Sequence, residues 1–222
     1  GMPFGPGPAA ALDEALKLCA ELGFTTTDYD HYVGLADLND KETRLHILGH
    51  LDVVGEGSGW STDPYTCVEK DGMLYGRGVS DDKGPVVCAL LAMKAVRDLG
   101  LPLTANARMI LGTDEESGSS DIAYYYSKEP YAPYAFTPDA DFPVINIEKG
   151  HYHPDFGAQW AASDALPRVA AMTGGFRQNV VPPEAEAMVL GVFPADVQDL
   201  CDAVAKGTGA VFTVNGSANG CH

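Results

Sequence analysis

A chain of 222 residues has room for one sizeable hydrophobic core or two small ones. With 45% hydrophobic and 20% charged residues its composition is that of a globular protein, neither disordered nor fibrous. Fourteen Lys and Arg stand against 31 Asp and Glu, a net charge of −17, which argues against nucleic acid or anionic membrane as partners.

That acidity serves solubility, and part of it can also serve as metal ligands. The five cysteines, Cys19, Cys67, Cys88, Cys201 and Cys221, form no Cys-x-x-Cys pair, so a zinc knuckle or thioredoxin motif is absent. Free thiols in a reducing cytoplasm account for them. No apolar run is long enough to cross a bilayer, and the opening residues lack the basic and apolar regions of a secretory signal.

In chain order, Pro3 to Pro8 reads as a lead-in without helical pattern. A helix follows over Ala10 to Leu22, with Leu12, Ala15, Leu16 and Cys19 at helical spacing and Gly23 as its stop. Strands are expected over Tyr32 to Leu38 and Thr43 to Leu48, and a hairpin at Lys70-Asp71-Gly72 between Tyr65–Glu69 and Met73–Tyr75. Pro85 suits the first turn of a helix to Leu99 with the stripe Val86, Leu90 and Met93. Ala107 to Leu111 reads as a strand, Ile122 to Tyr126 as helix and Val144 to Ile147 as a further strand. This alternation predicts an α/β sheet. Past Gly150 the pattern changes. Strands at Arg168–Met172, Glu186–Val192 and Ala210–Val214, with a helix near Ala195–Ala205, predict part of a second, α+β unit. The expected division is therefore 1–150 and 151–222.

The chemistry gathers at strand ends. Leu45-His46-Ile47-Leu48-Gly49 is an apolar run closed by glycine, followed by His50 and Asp52. Residues two apart on an extended chain point the same way, so Asp52 can hold the imidazole of His50, the usual pairing beside a metal. Such a pair also occurs on ordinary surface. Three more acidic positions raise its significance: Asp81-Asp82, Glu115-Glu116 and Asp139. Brought to one sheet edge, they make a negative field that a cation neutralises. A mixed His/carboxylate set suits zinc, with manganese or cobalt as alternatives. In an adjacent pair such as Glu115-Glu116, one carboxylate can ligate while the other moves protons. His151 and His153 are an alternative source of ligands, more simply read as a solvated loop. His31 and His46 read as structural.

His50-Leu51-Asp52, Gly76-Arg77-Gly78 through Asp81-Asp82-Lys83-Gly84, and Asp114-Glu115-Glu116-Ser117 together resemble the motif series of peptidase family M20. Pro3 to Pro8, Thr137 to Pro143 and Glu148-Lys149-Gly150 resemble its PepV-like dipeptidase branch, and Gly174 to Pro182 the entry to the family's lid domain, which is ferredoxin-like. The resemblance implies an α/β fold, a mixed sheet with helices on both faces, and a metallopeptidase holding two zinc ions. His50 and Asp139 would ligate one, Asp81 would bridge both and Glu116 would ligate the other. Asp52 would orient His50, Glu115 would be the general base and Asn179 a substrate contact from the lid. It implies a dipeptide substrate, with an N-acyl amino acid as the alternative. Members of that family are longer, and the histidine that completes the second zinc site has no counterpart in this sequence. Asn219 stands where a lid histidine follows Ser-Ala. One well-held ion, at His50, Asp81 and Asp139, is therefore expected, with the Glu116 side weak. A catalytically inactive metal- or peptide-binding relic is the other reading. Uncovered apolar faces would favour a homo-oligomer.

Overall fold

The computed structural model describes residues 1–150, 152, 154–159, 161, 163–175, 182 and 184–221. They form two compact units, Gly1–Ile147 and Glu148–His222. The first unit begins with helix α1 (Pro6–Glu21) and strands β1 (Thr25–Tyr29), β2 (Val33–Asp37) and β3 (Thr43–His50). A hairpin of β4 (Val68–Lys70) and β5 (Met73–Tyr75) precedes α2 (Lys83–Asp98), β6 (Asn106–Gly112), α3 (Ser120–Tyr126) and β7 (Tyr134–Phe136). The five-stranded sheet runs β1-β2-β6-β3-β7. β1 and β2 are antiparallel to their neighbours, whereas β6, β3 and β7 are parallel.

Alternation along the strands covers both faces of this sheet. On one face Ala36, Ile47, Met109 and Leu111 meet Leu12 and Cys19 of α1 and Val86, Leu90 and Met93 of α2. On the other, Val33, Leu35 and Ile110 pack on Tyr125 of α3. A mixed sheet with helices on both faces is thus the architecture expected from the sequence. Each fully buried Leu or Met contributes about 1.5–3 kcal/mol. Two polar groups complete the second face: half-buried Arg108 makes a two-pronged ion pair with Asp37, and buried His46 has its Nδ1 2.9 Å from the Tyr126 hydroxyl. His46 is structural, as its sequence context suggested.

The clearest differences from expectation lie in α1, β1 and β7. α1 starts at Pro6, because prolines are tolerated in a first turn that needs no N–H partner. α2 starts at Lys83, which keeps Pro85 in its first turn as expected. β1, polar in sequence as Thr25-Thr26-Thr27-Asp28-Tyr29, is an edge strand half open to solvent and lacks an apolar signature. The strand beside β3 is Tyr134–Phe136, while 144–147 has no regular structure. Both stretches are short and apolar, and only the first reaches the parallel register Leu45–Tyr134 to Ile47–Phe136. Beside this edge strand an open apolar groove of about 700 Å³ is lined by Leu45, Ile47, Ala89, Met93, Phe136 and Phe142.

The second unit contains β8 (Arg168–Gly174), β9 (Ala185–Leu190), α4 (Pro194–Thr208), β10 (Gly216–Ser217) and β11 (Gly220–Cys221). Its antiparallel sheet runs β10-β11-β9-β8. The expected strand at Ala210–Val214 is absent: Val211 is almost fully exposed, and the chain pairs only from Gly216.

Gly49 explains how β3 delivers its histidine. A Cβ there would stand 2.5 Å from Val86 Cγ2 and 2.7 Å from Asp82 Oδ2, so any side chain would push α2 off the sheet. Gly49→Ala should cost about 1–3 kcal/mol through overpacking, read as a lower urea midpoint without a change in slope.

Candidate metal centre

The three parallel strands point their carboxyl ends to the same edge, where open α/β sheets keep their sites. β3 ends on His50, with Asp52 two residues on. β6 runs through Thr113 and Asp114 into a single 3₁₀ turn at Glu115–Ser117. β7 is followed three residues later by Asp139. The Asp81-Asp82 pair, joined by a cis peptide, stands at the start of α2.

The imidazole of His50 is the fixed point. Its side chain is 3% exposed, against 58% for Asp81 and 30% for Asp139. Nδ1 lies 3.3 Å from Asp52 Oδ1 and 3.1 Å from the Asp52 carbonyl oxygen. Nε2 is turned to the acidic edge, 2.9 Å from Asp81 Oδ1 and 3.5 Å from Asp139 Oδ2. Asp52 also accepts the backbone N–H groups of Glu115 (3.2 Å) and Glu116 (3.0 Å), one on each oxygen. A single buried carboxylate therefore sets both the imidazole and the glutamate turn. The His50 contact is the one the His-x-Asp spacing suggested, and the backbone contacts are ones the spacing could not show.

Ligand atoms of His50, Glu115 and Asp139 lie within 4.8 Å of one another, as do those of His50, Asp81 and Glu116. The structure thus brings together all the described candidates: His50, Asp52, Asp81, Glu115, Glu116 and Asp139. It does not join His50, Asp81 and Asp139 in one such set: each carboxylate groups with a different glutamate. Both flank a single imidazole, and their like charges keep them apart. Asn179, His151 and His153 lie outside the described residues.

The charges explain the protonation. Burial is the largest influence on His50 and acts to lower its pKa, but Asp52, Asp139 and Asp81 together outweigh it and push it up to about 9. Burial raises Glu115, Glu116 and Asp139 above the usual carboxylate range, with neighbouring acids adding to the effect. For Asp52, burial again acts upward but loses to the hydrogen bonds from His50 and the Glu116 and Glu115 amides, which leave it lowered. The donor set fits a divalent cation: one imidazole nitrogen and several carboxylates, packed into a negative edge that favours positive charge. With Nδ1 committed to Asp52, Nε2 offers one lone pair and serves one ion.

The doublet Asp81-Asp82 hides a division of labour. Asp82 is fully buried, and its Oδ2 accepts the His50 backbone N–H at 3.1 Å. Its Oδ1 has no partner among the described residues, and burial, the largest cause, pushes its pKa up to about 7. Asp81 faces solvent while Asp82 supports His50 from beneath. Sequence alone offered the pair but not which member faced inward; the start of α2 two residues later was the available signal.

The fold and this edge define the class: the chain belongs to peptidase family M20/M25/M40, whose sequence profile matches residues 46–213. It is 39% identical over 193 residues to the Bacillus subtilis protein named "Putative dipeptidase YtjP", covering 86% of this chain and 42% of that one. To the Beta-Ala-Xaa dipeptidase of Lactobacillus delbrueckii it is 33% identical, covering 85% of this chain and 40% of that one. The M20 family metallo-carboxypeptidase Sso-CP2 from Sulfolobus solfataricus superposes with a TM-score of 0.54 at 25% identity, over 63% of this chain and 34% of that one. The chain thus spans about two fifths of the length of these curated relatives. Membership in this family implies use of a divalent metal.

Since His50 carries a proton more readily folded than unfolded, it stabilises the metal-free protein fully below pH 6.5, and this contribution is lost as pH rises through about 9. Urea midpoints of metal-free protein should therefore fall between pH 7 and 9.5, and His50→Gln should flatten that fall.

Proposed function

We propose that this chain carries the metal-binding half of a dipeptidase active site, with residues 1–150 as the catalytic part and 151–222 as part of a lid. The observation that carries the reading is the convergence of His50, Asp81, Asp139, Glu115 and Glu116 at one edge, with His50 and the glutamate turn fixed by Asp52. The names of the relatives support a dipeptide as substrate, and the metal-active donor set supports hydrolysis of its amide. Zinc is the favoured ion, with manganese or cobalt as alternatives. The five unpaired thiols favour a reducing compartment, the cytoplasm. No helix of the described residues is long and apolar enough to cross a membrane.

In this reading His50, Asp81 and Asp139 would hold the first ion, Asp81 and Asp139 closing from their separate groupings onto the imidazole nitrogen both face, and Glu116 would serve a second. When bound, the metal polarises the scissile carbonyl and acidifies a water. The protein's own residues do the rest. Asp52 keeps His50 Nδ1 protonated and Nε2 free for ligation. Glu115, its pKa raised by burial, takes the proton of the attacking water and returns it to the leaving amine nitrogen.

Because both carboxylate sets draw on the one imidazole, equilibrium dialysis should find about one tightly held zinc per chain. Two ions of comparable affinity would contradict this. With zinc, manganese or cobalt added, the chain should hydrolyse Ala-X dipeptides. Glu115→Gln should lower kcat by about 10²–10⁴-fold with the metal retained. One retained ion but no turnover by the parent chain would favour the relic reading, to which the Asn219 position points. Zinc content near zero after careful loading would remove both readings.

A further inference from the structure

Beyond the donor set, the glutamate turn has a second support that the motifs do not mark. Asp121, in the first turn of α3, is fully buried. Its Oδ2 accepts the backbone N–H of Thr113 at 2.6 Å and of Asp114 at 3.1 Å. Asp52 takes the next two amides, Glu115 and Glu116. Four successive backbone N–H groups, from Thr113 to Glu116, are thus bound by two buried carboxylates arriving from different elements. We infer that Asp121 is a positioning residue for Glu115, the second jaw of a carboxylate clamp that aims the proton-transfer group; this rests on the proposed role of Glu115.

Helix capping alone does not account for Asp121. Ser or Asn caps a helix about as well as Asp, without burying a charge. α3 also has its own tie: Asp114 Oδ2 accepts the Ser120 backbone N–H at 3.1 Å and bonds the Ser120 hydroxyl. Asp121 Oδ1 serves the adjacent Ile122 N–H at 2.7 Å, leaving Oδ2 wholly to the turn. The strand makes room for this. A Cβ on Gly112 would lie 2.6 Å from Asp121 Oδ2, so only glycine lets the carboxylate reach the amides beyond β6. The Thr113 hydroxyl donates to the Tyr32 carbonyl at 2.6 Å, pinning the start of the turn from β2. With the Thr113 and Asp114 amides held, a single φ/ψ pair, that of Asp114, separates the second of them from Glu115. A displacement of about 1 Å in a reacting group can cost about 10²-fold in rate.

The test uses the full chain with Asp121→Asn and, as a second perturbation that keeps the carboxylate, Gly112→Ala. Asparagine has one acceptor oxygen and cannot serve both the turn and Ile122. Both variants should lower kcat on a dipeptide by about 10–100-fold with KM changed less than about threefold and the His50 metal content unchanged. Amide hydrogen exchange should accelerate at Glu115 and Glu116, which Asp121 does not touch, while Met109 and Ile110 in β6 stay protected. The exchange result judges the clamp whether or not the parent chain turns over, so failure of the dipeptidase reading and failure of this inference are distinguishable. Acceleration confined to Thr113, Asp114 and Ile122, or kcat within threefold of the parent, would make Asp121 a helix cap only and overturn the inference. Should one variant fail to fold, the other carries the same two readouts.

Discussion

The interaction on which the site depends is the seat of the Asp52 carboxylate. It meets His50 Nδ1 on one side and the amides of Glu115 and Glu116 on the other. Ligands from β3 and from the turn after β6 are separated by more than sixty residues in sequence. One buried group makes them a single rigid piece. The remaining acids are more open: Asp81 and Asp139 stand partly in solvent, and their like charges disfavour close approach. A metal site built this way has a fixed nitrogen and adjustable oxygens, which suits an ion whose coordination changes during a reaction.

The same arrangement explains the protein's tolerance for concentrated negative charge. His50 is raised to about 9, so at neutral pH the metal-free edge carries its own imidazolium among the carboxylates. A divalent ion must displace that proton, and affinity should rise with pH until His50 is neutral. Asp82, held beneath His50, is a buried acid with one oxygen unpartnered among the described residues, and burial pushes its pKa up to about 7. Its hydrogen bond to the His50 amide fixes the backbone at the point where β3 leaves the sheet.

Most of the first unit was legible from periodicity. The apolar runs at Leu45–Leu48 and Ala107–Leu111 and the stripe Val86-Leu90-Met93 carry long-range packing in their local pattern. β1 was not legible, because an edge strand needs no apolar face. Neither was β7, because Tyr134–Phe136 and 144–147 look alike and only pairing with β3 separates them. At the site, the His-x-Asp spacing anticipated the contact between His50 and Asp52, since side chains two apart on an extended segment share a direction. The inward turn of Asp82 and the reach of Asp121 across Gly112 depend on tertiary contacts, and no local pattern encodes them. The grouping of Asp139 with Glu115, and of Asp81 with Glu116, is likewise a product of strand order.

The central claim is that the Nε2 of His50, held by Asp52, is the anchor of one metal ion. Anomalous diffraction at the zinc edge from zinc-loaded crystals tests it directly. The account predicts a strong peak about 2.0–2.1 Å from His50 Nε2, with carboxylate oxygens of the acidic edge completing its shell. A principal peak elsewhere on the chain, or none at His50 at full loading, would contradict it.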